Sequence, residues 1–286
     1  MNQVEVIRAR ALDGVSHGFL GRSGGVSTGV VAGLNVGTGS ADDPQAIAEN
    51  RRRAAEAVLP GSRLVTVYQV HSPDAVAVIE PFDDRLRPRA DALVTDRPGL
   101  ALGILTADCA PVLLADREAG VVGAAHAGWK GAIGGVTDST IALMETLGAK
   151  RERITAAVGP CIARASYEVD DGFFRRFAEA DPANERFFAD GRPGHHQFDL
   201  EAYVAHRLAA AESAPSRRSG STRIRTRTVS TASAAPRTAA SPITAGRSRS
   251  SGCSPREKGA RIAPDALRTQ AACLAREARL RSCGSK

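Results

Sequence analysis

A chain of 286 residues that is 43% hydrophobic and 24% charged has room for one globular domain, or one domain plus an extension. The longest apolar runs, such as Gly99 to Thr106, are far too short to span a bilayer. The start MNQVEVIRARALDG has no apolar h-region, and five Cys without dense spacing exclude a disulfide scaffold, so a cytoplasmic soluble protein is expected. The net charge of +7 is unevenly placed: residues 212–286 hold 16 Lys and Arg against 4 Asp and Glu, which leaves residues 1–211 at −5. That is a mildly acidic body with a basic tail, with no specific nucleic-acid partner expected of the body.

Glu5 to Arg8 and His17 to Phe19 read as short strands. Arg22 to Gly37, RSGGVSTGVVAGLNVG, is rich in Gly and Ser and reads as loop. Asp43-Pro44 is an N-cap and first-turn pair, predicting a helix through Val58 that Leu59-Pro60-Gly61 stops. Leu64 to Gln69 and Ala75 to Ile79 read as strands. Four more strand-like runs follow: Ala92 to Thr95, Leu100 to Thr106, Val112 to Ala115 and Val121 to Ala125. Val136 to Leu147 is a predicted helix with Gly148 just past its end. Ile154 to Val158 is a strand, Gly172 to Ala180 a short helix, and a last helix places Leu200, Tyr203, Val204 and Leu208 on one face. His195-His196 lies in a Gly/Pro-rich stretch read as a solvated loop. Clustered strands flanked by a few helices predict a mixed, layered α and β domain over 1–211, without the regular alternation of a doubly wound sheet.

Residues 212–286 have no Phe, Tyr or Trp and are dominated by Arg, Ser, Ala and Thr, a composition that predicts a disordered basic tail. They also read as coding sequence translated in a shifted frame. Glu212 to Arg217 (ESAPSR) can come from codons for Gly-Ile-Gly-Ala-Val-Glu read one base late. With the same shift and GC-rich codons, STASAA (230–235) can come from Phe-Tyr-Ser-Phe-Arg-Arg and ASPITAGR (240–247) from Gly-Glu-Pro-Asp-Tyr-Gly-Arg-Gln. The hidden text has aromatics, acids and a core pattern that the visible text lacks. The other reading is a real basic tail that binds RNA or DNA electrostatically.

Three motifs stand at strand ends: Gln69-Val70-His71-Ser72, Thr106-Ala107-Asp108-Cys109-Ala110-Pro111, and Ala125-His126-Ala127-Gly128-Trp129-Lys130-Gly131. Strand ends at one edge of a sheet are where distant segments bring side chains together. His71, Cys109 and His126 are two imidazoles and one thiol, a set that suits zinc with a fourth position for water. Their separations do not make a compact zinc-finger pattern. A His at a turn is also an ordinary polar surface residue, and a Cys is an ordinary small buried one, so spacing alone leaves both readings open. No GxGxxG or Walker pattern is present.

Together with RSGGVSxG, GLNVG, ENRRR, ADALVT, GPCI and YEV, these motifs resemble the YfiH-like or laccase-domain family over His17 to about Leu208. The resemblance implies an α+β fold, a four-layer α/β/β/α sandwich. It implies a purine nucleoside phosphorylase that takes purine nucleoside and phosphate and also deaminates adenosine, where polyphenol oxidase was the older assignment. It places the metal ligands on His71, Cys109 and His126, with zinc favoured over copper. The same three and Asp108 become catalytic candidates, and Arg22, Asn35, Gln69 and Lys130 substrate-binding ones. After Ala211 the chain departs from the family pattern of aromatic-Ser-aromatic-Arg-Arg followed by Gly-Arg. The shifted frame contains that pattern, so the frame reading and the resemblance support one another and put the activity of this chain in question.

Cleaving an N-glycosidic bond builds positive character on the ribose and charge on the leaving base. Phosphate must sit near the sugar, and Arg22 or Lys130 are cations that suit it. Three rivals stand beside this reading. One is a hydrolase with Cys109 as nucleophile and His126 or His71 as base, an amidase-type editing of peptidoglycan precursors. Another is a copper polyphenol oxidase, for which Met1 and Met144 offer poor axial ligands and six His are few. The last is an inactive truncated product.

Overall fold

In the computed structural model, residues 3–213 are described, with three further backbone segments at 227–228, 260–261 and 270–275. The centre of the fold is a hairpin, β7 (Ala110–Asp116) and β8 (Val121–Ala127), in which every residue is buried. Strands buried on both faces need cover on both sides, and the layers around them supply it. The hairpin turn closes because Asp116 Oδ1 accepts the N–H groups of Glu118 and Ala119, and Gly120 takes a left-handed φ of 69° that Gly adopts without strain.

β7 and β8 are the middle of a six-stranded mixed sheet. β9 (Thr155–Val158) lies antiparallel to β7, and β5 (Ala92–Thr95) antiparallel to β8. β4 (Ala75–Ala77) runs parallel to β5 at one edge, and the backbone of β13 (Arg227–Thr228) parallel to β9 at the other. A second sheet packs on it, in the order β1 (Val6–Ile7), β2 (Ser16–Leu20), β15 (Gln270–Ala275), β6 (Leu100–Ile104), β3 (Arg63–Thr66). β15 is described as backbone, antiparallel to both β2 and β6. Between the two sheets lies a core that includes Phe19, Val65, Leu93, Leu102, Ile104 and Leu113.

Helices cover the outer faces. α1 (Pro44–Val58) begins where Asp43 accepts the N–H of Gln45 and Pro44 occupies the first turn. It packs Ala54 and Val58 against Leu20 and Ala101 of the five-stranded sheet and against Leu34 of the Gly-rich loop. On the opposite outer face lie α2 (Trp129–Gly134), α3 (Val136–Thr146) and α5 (Leu200–Ser213). The result is the expected α/β/β/α sandwich with mixed sheets. A small third sheet, of β10 (Glu168–Asp170), β11 (Phe188–Asp190), β12 (His195–Phe198) and the backbone of β14 (Ala260–Arg261), adjoins α4 (Asp171–Ala180). Phe173, Phe177, Phe198 and Tyr203 join the two units through ring contacts, Phe177 lying 4.8 Å from Phe198 and 5.0 Å from Tyr203 between centroids.

Two details differ from the sequence reading. His195-His196 is strand and not solvated loop: β12 pairs with β10 and β11, and His196 Nε2 meets Asp171 Oδ1 at 2.9 Å. Strands of three or four residues carry too little pattern to be read locally, and the register here is set by Phe188 and Phe198 packing under α4. Trp129–Gly134 is helix, an element absent from the sequence reading. The reading of residues 212–286 as disordered and out of frame falls largely outside the described residues. Among the described residues, no helix is long and apolar enough to cross a membrane.

Candidate metal centre

The Gly-rich loop at 22–37 and the ENRRR motif are a single device. Asn50 of α1 is fully buried and donates to Ser27 Oγ, Gly33 O and Asn35 O, while its Oδ1 accepts the N–H of Val26. Arg53 adds a bond to Gly24 O. Gly25 lies so close to Gly33 that a Cβ there would run into its carbonyl. Within this loop Asn35 is buried, binds Ser40 and Asp42 through its amide, and accepts from Gly37 N–H. Arg22 is exposed and bonds Ala32 O through Nε and Nη2. These described contacts tie Arg22 into the loop itself and Asn35 to the segment that follows it.

His71, Cys109 and His126 do come together. Their ligand atoms lie within 4.8 Å of one another, and among the described residues they form the one group of three such side chains placed to hold a metal. His126 is on β8, buried, 4.8 Å from the His71 ring between centroids and edge-on to it. His71 is exposed, at the turn between β3 and β4, and Cys109 stands just before β7 with Sγ 3.9 Å from His71 Nε2. Both approaches bend sharply: His71 has φ of 61° and Asp108 of 88°, left-handed values unusual for residues other than Gly. The Asp108 carbonyl accepts the N–H of Ile162, which ties the turn to the GPCI segment.

Gln69 sets the spacing between the first two segments. Its Nε2 donates to Leu105 O at 2.7 Å and its Oε1 accepts Leu105 N–H at 2.8 Å, so the strand leading to His71 is locked to the one leading to Cys109. Lys130 is exposed, with its Nζ 5.3 Å from the centre of the Trp129 ring. Trp129 packs on Phe173 at 4.9 Å.

A residue the sequence reading did not select is central here. Asp91, fully buried just before β5, accepts from His126 Nδ1 at 2.8 Å and from the N–H groups of Val70 and Ser72. A lone acid opening an otherwise apolar run, ADALVT, was the available signal, since a buried carboxylate needs partners.

Charge in the site follows from these contacts. Burial raises the Asp91 carboxyl, but His126 and the two N–H groups outweigh it and hold it down at about 2. Burial likewise opposes a charge on His126, yet hydrogen bonds from its ring to Asp91 and Cys109 raise the imidazole above its ordinary range. Burial pushes the Cys109 thiol up, and the two imidazoles reverse this and bring it down to about 7. Cys161 shows the contrast: burial, with Glu201 and Asp199 nearby, drives its thiol up to about 12. Of these two thiols, Cys109 alone is readily ionised near neutrality. The donor set fits a zinc-like ion, because thiolate and imidazole are its preferred ligands, at about 2.0–2.3 Å, and exposed His71 is free to adjust.

A layered α/β/β/α sandwich that brings two imidazoles and one thiol together at its strand ends is an α+β domain with a candidate metal centre. A family model described as multi-copper polyphenol oxidoreductase laccase matches residues 16–233, and the chain belongs to that family. It is 48% identical over 168 residues to a Deinococcus radiodurans protein named purine nucleoside phosphorylase. That match covers 58% of this chain and 64% of the relative, so under two thirds of the relative's length is spanned. A Streptomyces griseus protein, also named purine nucleoside phosphorylase, is 42% identical over 206 residues, 71% of this chain and 82% of that one. Among crystal structures, a Neisseria meningitidis protein of the DUF152 family is similar at 33% identity and TM-score 0.66, over 73% of this chain and 84% of its own. YlmD from Geobacillus stearothermophilus is similar at 32% identity and TM-score 0.66, over 71% of this chain and 79% of its own.

Proposed function

We propose that this chain is a zinc-dependent purine nucleoside phosphorylase. Its substrates would be adenosine, inosine, guanosine and S-methyl-5'-thioadenosine, each split by phosphate into base and ribose 1-phosphate or its methylthio form. Deamination of adenosine belongs to the same reading. The observation that carries it is the convergence of His71, Cys109 and His126 in a chain so similar to relatives bearing that name.

His71, Cys109 and His126 would hold the ion. Zinc bound there supplies a Lewis acid that polarises substrate and lowers the pKa of water. Three protein ligands would leave a position for substrate or water, as in catalytic zinc sites. The chain's own part is to bind and orient. Cys109, ionised near neutrality, brings the negative charge a divalent ion needs. Lys130 offers a cation two residues beyond Gly128, whose backbone lies against His71 and Cys109, and so a partner for phosphate. Arg22 is the second such cation, and Asn35 and Gln69 the neutral candidates for sugar and base. Asp108, in its left-handed turn before Cys109, is the candidate to orient a ligand or carry a proton.

One observation favours a second reading. A thiol brought down to about 7 between two imidazoles is also the arrangement of a Cys nucleophile with its base, suited to an amide of a peptidoglycan precursor. Copper oxidase chemistry has less support, since a single three-residue group is found among the described residues.

Metal analysis and product assays separate these. On the zinc reading, purified protein holds about one zinc, Cys109→Ser loses it, and inosine yields hypoxanthine only with phosphate present. Equal base release without phosphate would make the protein a hydrolase. Turnover of a peptidoglycan precursor amide with no purine release would establish the nucleophile reading. Several equivalents of copper with phenol oxidation would establish the oxidase.

A further inference from the structure

We propose that Asp91 is the positioning residue of this centre, fixing both histidines at once; the inference rests on the metal reading above. The two oxygens of its carboxylate divide the work. Oδ1 accepts from His126 Nδ1 at 2.8 Å. Oδ2 accepts the N–H of Val70 at 3.0 Å, the N–H of Ser72 at 2.6 Å and the hydroxyl of Ser72 at 3.1 Å. Val70 and Ser72 flank His71, so the carboxylate grips the turn on both sides of the residue whose φ is 61°.

The backbone reinforces the grip. The Asp91 carbonyl accepts the N–H of His126 at 2.7 Å, and the Asp91 and Ala92 N–H groups donate to Asp74 O. Asp91 is fully buried, and these donors take the place of water around its carboxylate. With Oδ2 accepting all three donors of residues 70 and 72, Oδ1 is left to accept from His126, whose Nδ1 then carries the ring proton. That leaves Nε2 as the nitrogen offered to the point shared with Cys109 and His71. A carboxylate behind a ligating imidazole sets ring orientation and tautomer in this way. Here the same group also holds a second ligand's turn in a backbone region that side-chain-bearing residues avoid.

Asp91→Asn tests the role with the shape preserved. Asn has one acceptor oxygen. If it keeps the three donors of residues 70 and 72, its NH2 faces His126 Nδ1 and moves the ring proton to Nε2, blocking that ligand atom. Zinc affinity of the 286-residue chain, measured by competition with a chromophoric chelator, should fall about 10- to 100-fold in D91N. Nitrogen-15 NMR should show a hydrogen-bonded His126 Nδ1 proton in the wild type and its loss in D91N. A purely structural Asp91 would alter the melting temperature and leave the ring proton in place. Equal zinc affinity in the two proteins overturns the role of Asp91 while the metal reading stands. A wild type that takes up no zinc overturns the metal reading itself. Should D91N not fold, the wild-type spectrum decides: a His126 Nδ1 without a proton overturns the proposal.

Discussion

Gly128→Ala places one methyl group in the closest-packed part of the centre. Gly128 is buried with φ −68° and ψ 161°, values open to any residue, so the backbone does not object to alanine. Space does. A Cβ would stand 2.8 Å from His71 Cδ2 and 2.9 Å from Cys109 Sγ. Ordinary contact begins near 3.4 Å, so one or both side chains must retreat by about 0.5–1 Å. Overpacking of this size costs about 1–3 kcal/mol. His71 is exposed and turns outward more readily than the fold adjusts, so the strain falls on the centre. On the proposed reading, at about 1.4 kcal/mol per tenfold, zinc affinity should drop roughly 5- to 150-fold, with the proposed phosphorolysis falling alongside. Thermal stability should move by only a few degrees, at about 2–4 °C per kcal/mol for a domain of this size. Chelator competition and a melting curve on the same preparation measure both. Wild-type zinc affinity in G128A would refute the idea that this glycine is required by the approach of His71 and Cys109.

Asp116 is fully buried and bonds Lys150 N–H, Arg153, Glu118 N–H and Ala119 N–H, and these partners overcome burial to hold its carboxyl below the ordinary range. A depressed folded-state pKa gives stability that is present above the unfolded value and lost as pH falls through the folded one, so Asp116→Asn should flatten the acid limb of stability against pH. It should also cost about 3 kcal/mol near neutrality in denaturant titrations; unchanged stability would remove this network from the account. Phe177→Ala empties the ring cluster that joins α4, β12 and α5 and should cost about 3–5 kcal/mol in the same assay, a loss under 1 kcal/mol showing that the small sheet packs independently. On our reading of residues 212–286 as out of frame, a single-base correction near codon 211 should give more soluble protein with higher phosphorolysis, and equal yield and activity in both chains would make the tail a genuine part of the protein.

Most of the sandwich was legible because its elements carry local signals. Asp43-Pro44 and Leu59-Pro60-Gly61 bound α1, and continuous apolar runs marked β5 to β8. The small sheet was not, since β10, β11 and β12 are three or four residues long and are held by aromatic packing from elsewhere in the chain. Arg22 and Asn35 were legible as binding candidates from residue type and motif, whereas the tertiary contacts that hold them, Arg22 on Ala32 and Asn35 on Asp42 and Asn50, were not.

The sequence by itself determined which side chains are chemically able to form the centre: two imidazoles and one thiol, each at the end of an apolar run that had to be a buried strand. Only the tertiary structure decided that they meet. His71 and Cys109 are brought together by the clamp between Gln69 and Leu105, a pairing across 36 residues, and His126 is aligned with them by Asp91 across 35. The physical reason is that hydrophobic patterning reports which face of a strand is buried, a local property. Convergence depends on sheet register and on a buried carboxylate finding its donors, and both arise from segments that are neighbours in space alone.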